Sequence, residues 1–393
     1  MADFEQRRLG AVLTLQRGHD ITKAEQQPGP YPVISSSGPT SHHSEYKCEG
    51  PGVVVGRKGS LGGVYWSEGS YWPHDTTLWV RDFKDNHPKF IYYFLHTLDL
   101  ARFDVGASNP TLNRNHLHAI EVRIPPLPVQ KRIAYTLSTL DDLIDSNRSQ
   151  VAILEATTRL LYREWFVHFR FPGHEAVELV DSDFGPIPED WEVSQVSDVL
   201  ETVGGGTPAK TEEAFWEDGT VQWFTPTDLT RAGAAFAFDS ALKITERGLK
   251  KSSAKLFPAG SVMMTSRATI GTISIAATPA TTNQGFITCV PSDRLTSNYI
   301  YFWLHANVDL FLSLAGGATF KELRKSTLRE LPLLLPGQRE MDSFEDSVEP
   351  MMSLLKNLLQ QNQVLLEARD LLLPRLVSGE LDVSELDLGL EAV

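Results

Sequence analysis

Three stretches of this chain carry residue types that could do chemistry, and each fails on spacing. Gly204-Gly205-Gly206-Thr207-Pro208-Ala209-Lys210-Thr211 has the outline of a phosphate-binding loop. A phosphate cradle needs a second glycine just before the Lys-Thr pair, where this chain has Ala209, and Pro208 removes a backbone donor. The spacing therefore predicts a turn. Asn109-Pro110-Thr111 starts like the Asn-Pro-Pro-Tyr segment of amino-methyltransferases but lacks its second proline and aromatic, and no S-adenosylmethionine motif accompanies it. His42-His43 and His116 with His118 lack the further Cys, His or Asp that tetrahedral metal spacing requires. No catalytic set, metal site or cofactor is expected.

What remains is a set of polar side chains, most of them hydrogen-bond donors, in glycine-rich turns, and it occurs twice. Arg57, Lys58 and Ser60 follow the strand-like Val53-Val54-Val55, and Ser266, Arg267 and Thr269 follow Val262-Met263-Met264. His74 and Asp75 match Thr282, Asn283 and Gln284; Asn109, Asn113, Arg114 and Asn115 match Lys321, Arg324 and Lys325. Arginine can give two donors to guanine O6 and N7, asparagine can pair with adenine, and lysine and serine more often hold phosphate. These types suit a nucleic-acid-binding surface. They equally suit solvated hairpins and Asn-rich turns.

The elements that would position these residues also repeat, about 208 residues apart. Gly52-Val53-Val54-Val55-Gly56 returns at Gly260–Met264, Phe90-Ile91-Tyr92-Tyr93-Phe94-Leu95-His96 at Tyr299–His305, and Pro128-Val129-Gln130 at Pro336-Gly337-Gln338. So long a period means that each unit is a domain followed by a helix. Short apolar runs between Gly, Pro and Asn turns (Thr77–Val80, Trp223-Phe224, Thr272–Ile275) predict mixed α/β domains.

Each domain is followed by a heptad pattern. In the first helix the 4-3 spacing runs through Ile133, Leu137, Leu140, Ile144, Asn147, Val151, Leu154, Thr158, Leu161 and Trp165. In the second it runs through Phe344, Val348, Met351, Leu355, Leu358, Asn362, Leu365, Arg369, Leu372 and Leu376. Apolar positions sustained at this spacing predict a coiled coil. The order domain–helix–domain–helix makes the pair antiparallel, with a pseudo-twofold repeat and a rod of roughly 50 Å. Asn147, Thr158, Asn362 and Arg369 either set register or mark a splay, and Pro374 is expected to end or kink the second helix.

The expected domains are 1–128, a helix at 129–170, a second domain at 171–336 with a linker at 171–190, a helix at 337–380 and an acidic tail at 381–393. The fold class is α+β. The 393 residues, 41% hydrophobic and 22% charged, suit a soluble multi-domain protein. No apolar run could span a bilayer and no secretory signal opens the chain, so cytoplasm is expected. Cys48 and Cys289 do not match across the repeat, which argues against a disulfide framework. The net charge of −14 is concentrated at the end: residues 336–393 hold 12 acidic and 4 basic side chains, whereas residues 1–128 balance at 13 and 13. Composition thus leaves nucleic-acid binding open.

Several segments resemble one family. Glu201–Pro208 followed by Trp223-Phe224-Thr225-Pro226-Thr227-Asp228-Leu229, the boundaries Ile124–Ile133 and Leu333–Glu340, and the approach Gly185–Trp191 are similar to the specificity (S) subunit of type I restriction-modification systems. The resemblance implies a non-catalytic subunit in which each domain reads one half of a bipartite double-stranded DNA target. It implies also that the coiled coil sets half-site spacing and docks two methyltransferase (M) subunits, through which restriction/translocase (R) subunits join. The first domain departs from the family's opening, with Arg17-Gly18-His19-Asp20-Ile21 where Gly-Gly-Thr-Pro would stand. The alternatives are an enzyme carrying its own reader and a coiled-coil scaffold without a DNA role.

Overall fold

The computed structural model describes residues 4–104, 110–182, 185–317 and 321–383. The chain forms two compact units, Met1–Ser146 with Gln363–Val393 (unit 1) and Asn147–Asn362 (unit 2). The border runs through both long helices, so each unit holds one globular domain and half of each helix.

In unit 1 the central sheet has strand order Thr14–Arg17, Thr77–Asp82, Gly52–Gly56, Val64–Ser67, all antiparallel. Gly52–Gly56 is buried along its whole length, as an unbroken Val-Val-Val run between two covered faces must be. One face carries the helix Pro88–Thr97, opened by proline at its first turn and by the His87 side chain accepting from the Phe90 amide. Phe90, Ile91, Phe94 and Leu95 of that helix join Val53, Val55 and Leu78 in one core. A three-stranded layer (Gly38–His43, Tyr31–Ser35, Trp72–Pro73) and a strand pair, Glu5–Arg8 with Glu121–Ile124, complete the domain.

Unit 2 repeats the plan. Its five-stranded sheet runs Glu201–Gly204, Phe286–Val290, Val262–Thr265, Ile273–Ala276, Phe236–Ala237, and the helix Ser297–Ala306 packs beside it. The three-stranded layer is Leu242–Ile244, Val221–Phe224, Ala280–Thr282, and Glu192–Gln195 pairs with Pro332–Leu335. The single sequence offset becomes two. Turn and strand contacts align Arg57 with Ser266, 209 residues apart, but Gly18 with Gly205, only 187 apart. Insertions between them hid the second correspondence.

The first long helix, Leu127–Tyr162, continues as one π-helical turn, Arg163–Val167, and the second spans Gln338–Ser378. In unit 1, Ile133, Leu137, Leu376 and Val377 share a core, with Leu372 against it; Ile144 is buried, and Leu140 and Leu365 are half-buried. In unit 2, Phe344, Val348, Leu355 and Met352 pack in the core, against Val151, Leu154 and Leu161. Asn147 faces Asn362, while Tyr162 and Trp165 pack edge-on against Phe344, so the helices run antiparallel.

Two expectations are corrected. Met352 rather than Met351 is the buried methionine, because the seam at this point sits one residue later than a strict 3.5-residue repeat puts it. Pro374 does not end the second helix; the helix runs on to Ser378, where Leu376 and Val377 are held by the unit 1 core. That burial offsets the backbone hydrogen bond proline forgoes. The polar seam residues do not mark a splay. Asn147 Nδ2 donates to Asn362 Oδ1 at 3.0 Å in a buried pair, Thr158 bonds its own helix, and Arg369 pairs with Asp141 at 3.1 Å.

Candidate nucleic-acid interface

The repeated donors lie on one repeated piece of backbone. In unit 1 the buried strand ends at Gly56 and a tight turn returns at Val64, closed by the Gly62 amide donating to the Gly56 carbonyl at 2.9 Å. In unit 2 the Gly271 amide closes the same turn onto Thr265 at 3.0 Å. Both turns pass through the left-handed region, at Gly59 with φ 80° and at Ala268 with φ 60°. Glycine adopts it freely, whereas alanine there is strained.

A second segment crosses each turn. The Leu112 amide donates to Arg57 O and the Leu323 amide to Ser266 O, both at 2.9 Å, and both leucines are buried. Lys58 therefore lies opposite Thr111, and Arg267 opposite Glu322. The crossing segments carry Asn113 and Arg114 just after Thr111 in unit 1, and Lys321, Arg324 and Lys325 around Glu322 in unit 2.

A third segment is held by close backbone approach. A Cβ on Gly18 would lie 2.1 Å from His74 O, and one on Gly205 1.8 Å from Asn283 O. His19 and Gly206 then donate their amides to Pro73 O and Thr282 O, each at 2.8 Å. The unusual Arg17-Gly18-His19 opening thus keeps glycine where the backbones touch.

Within this frame the candidates differ in what they offer. Lys58, Ser60, Arg114, Asn115, Arg267, Thr269, Gln284, Lys321, Arg324 and Lys325 are exposed. Arg57 is half-buried, with Nη2 on Asp75 O at 3.2 Å and Nε buried without a partner among the described residues. Burial, then the nearby Arg17 charge, lowers its pKa. His74 has both ring nitrogens engaged: Nδ1 lies 2.9 Å from Thr76 Oγ1 and 3.0 Å from Asp75 Oδ1, and Nε2 lies 3.2 Å from Ile21 O. Asn113 caps the helix Arg114–His118 by accepting from the Asn115 amide, and Asn283 accepts from the Gly285 amide. Ser266 is buried, against the expectation that it faces a ligand; the crossing segment covers it. Asn109 lies outside the described residues.

Two features escaped the sequence. Arg17 Nη2 lies 3.0 Å from Asp75 Oδ2 and 3.4 Å from Asp20 Oδ1, beside a hollow of about 460 Å³ that Lys23, Thr40 and Ser41 help to line. Glu322 accepts from Arg267 Nε at 2.8 Å. The Arg17–Asp75 and Arg267–Glu322 pairings join residues distant in sequence, and only the shared position of Gly18 and Gly205 could have pointed to the first. Among the described residues no group of three His, Cys, Asp or Glu could hold a metal ion, and no helix is long and apolar enough to cross a membrane. Burial pushes the Cys48 thiol up to about 11 and Cys289 up to about 12, so neither is a ready nucleophile.

Two copies of one α+β unit, each with basic and polar loops at the same end of its sheet, define a duplicated-domain protein with paired linking helices. The chain belongs to the family described as type I restriction modification DNA specificity domain, whose model matches residues 1–156 and 188–361. It is 35% identical over 190 residues to the type I restriction enzyme MjaIX specificity subunit of Methanocaldococcus jannaschii, covering 48% of this chain and 44% of that protein. It is 24% identical over 358 residues to the HindI specificity subunit of Haemophilus influenzae, covering 75% and 77%. Its fold matches the S subunit of a type I restriction-modification system from M. genitalium with a TM-score of 0.69 and 14% identity, over 96% of both chains.

Proposed function

We propose that this protein is the non-catalytic DNA specificity subunit of a type I restriction-modification complex. Its two domains (1–128 and 171–336) each read one half of a bipartite target in double-stranded DNA. The helix pair sets the half-site spacing and docks two methyltransferase subunits, through which restriction subunits join, in the cytoplasm. The observation that carries this reading is that the two loop rims are equivalent in backbone and different in side chain. Lys58 opposite Thr111 becomes Arg267 opposite Glu322, and His74 becomes Asn283. One scaffold carrying two different donor sets is what two readers of different half-sites need, because base edges are distinguished by donor and acceptor pattern.

Co-expression with the methyltransferase subunit of its host, followed by single-molecule sequencing of methylated bases, tests this function. The expected outcome is co-purification and methylation at one split sequence. Methylation unchanged by adding this chain, or cofactor turnover by the chain alone, would overturn it.

A further inference from the structure

We propose that Arg267 reads a guanine in the half-site taken by unit 2, and that Glu322 is the residue that positions it. The inference rests on the specificity-subunit function proposed above and names one reading contact within it.

The backbone fixes both residues. Glu322 is bridged to Arg267 on one side and to Gly316 on the other, its amide donating to Gly316 O at 2.8 Å and its carbonyl accepting from the Gly316 amide at 3.1 Å. The next residue, Leu323, donates to Ser266 O at 2.9 Å and is buried. The two Cα atoms are thus held across a short ladder, a geometry that keeps directly opposed side chains within reach of each other.

The side-chain contact selects which donors remain. Glu322 Oε1 takes the Nε of Arg267 at 2.8 Å. The two terminal amino groups of Arg267 have no partner among the described residues, and the side chain is half exposed. A guanidinium held at Nε presents its end-on pair of donors, the pattern that matches guanine O6 and N7. Thymine and adenine each offer a single acceptor along the major groove edge, and cytosine offers a donor there.

Glu322 is out of place on any other account. It stands among Arg267, Lys321, Arg324 and Lys325, where a carboxylate repels the DNA backbone. An exposed ion pair adds little to stability. Its use is to remove rotamers from a long side chain before binding, which lowers the entropy cost of the contact. In unit 1 the equivalent bridge sets Lys58 opposite Thr111, so a hydroxyl stands where unit 2 has the Glu322 carboxylate.

The test uses the full chain assembled with the methyltransferase subunit, selecting from duplexes randomised across the target. Wild type, Arg267→Ala, Arg267→Lys and Glu322→Gln are compared, with melting temperatures measured alongside. Wild type should select guanine at one position that Arg267→Ala relaxes by about 5- to 100-fold, with Arg267→Lys failing to restore it. Glu322→Gln should relax the same position in part, while binding to a non-specific duplex at equal salt stays the same or tightens. A merely structural glutamate would weaken both. Unchanged guanine preference in Glu322→Gln, or equal relaxation of every position in that half-site, overturns the inference. A wild-type assembly that selects no sequence overturns the specificity function itself.

Discussion

Lys58 and Arg267 occupy the same place in two copies of one turn, and their chemistry predicts different consequences of losing them. Lys58 is exposed and its ammonium is a point charge suited to phosphate. Lys58→Ala should weaken binding to all duplexes alike and lower the slope of log affinity against log salt by about 1, measured by titration at several salt concentrations. Such residues were legible in the sequence because the repeat set them side by side. Their partners were not, since Arg17 meets Asp75 and Arg267 meets Glu322 only after strands distant in sequence have paired. His305 was equally hidden. Burial, and then the Arg159 charge, lower its pKa to about 4, and Nε2 is buried without a partner among the described residues. The unfolded chain therefore takes up a proton that the folded chain refuses, so stability is present above about pH 6.5 and declines as pH falls toward 4. Between pH 6.5 and 5 the loss should be about 2 kcal/mol. Denaturant melts at the two pH values should show it in wild type and show less of it in His305→Gln.

At the scale of elements, the heptads were the clearest signal, since 3.5-residue spacing survives any change in the residues around it. The sequence left open what the polar seam positions do. Asn147 and Asn362 answer each other in a buried hydrogen bond, which makes them a register pin. Replacing one alone, Asn147→Leu, leaves the other amide buried without a partner and should cost about 1–3 kcal/mol by denaturant unfolding. The double variant Asn147→Leu with Asn362→Leu should recover most of that loss, because both polar groups are gone. Equal additive losses in the double variant would mean that the pair does not act as a unit. The sheets were less legible than the helices. Val53-Val54-Val55 read as a strand because it is apolar throughout, but Glu5–Arg8 is a fully exposed strand of three charged residues and a glutamine. Only its partner, Glu121–Ile124, makes it one.

At the scale of the molecule, the duplication was visible wherever both copies kept one offset, and it was lost where insertions shifted the openings to 187. Each long helix belongs to both units, its border with unit 2 falling at Ser146/Asn147 in one and Asn362/Gln363 in the other. Because the helices pair antiparallel, a residue removed from one shifts its register against every facing residue beyond the cut. Deleting residues 148–154 alone should therefore misalign the seam and lower the melting temperature by many degrees. Deleting 148–154 together with the facing 355–361 removes a heptad from each helix and keeps the Asn147–Asn362 pair. Seven residues of helix measure about 10 Å, close to three base pairs of B-DNA. If the helices set the distance between half-sites, the paired deletion should give a folded assembly that methylates the same two half-sites with a spacer about three base pairs shorter, or none at all if the phase of the duplex no longer suits both readers. Sequencing of methylated DNA decides the matter: an active paired-deletion assembly with an unchanged spacer removes the helices from that role.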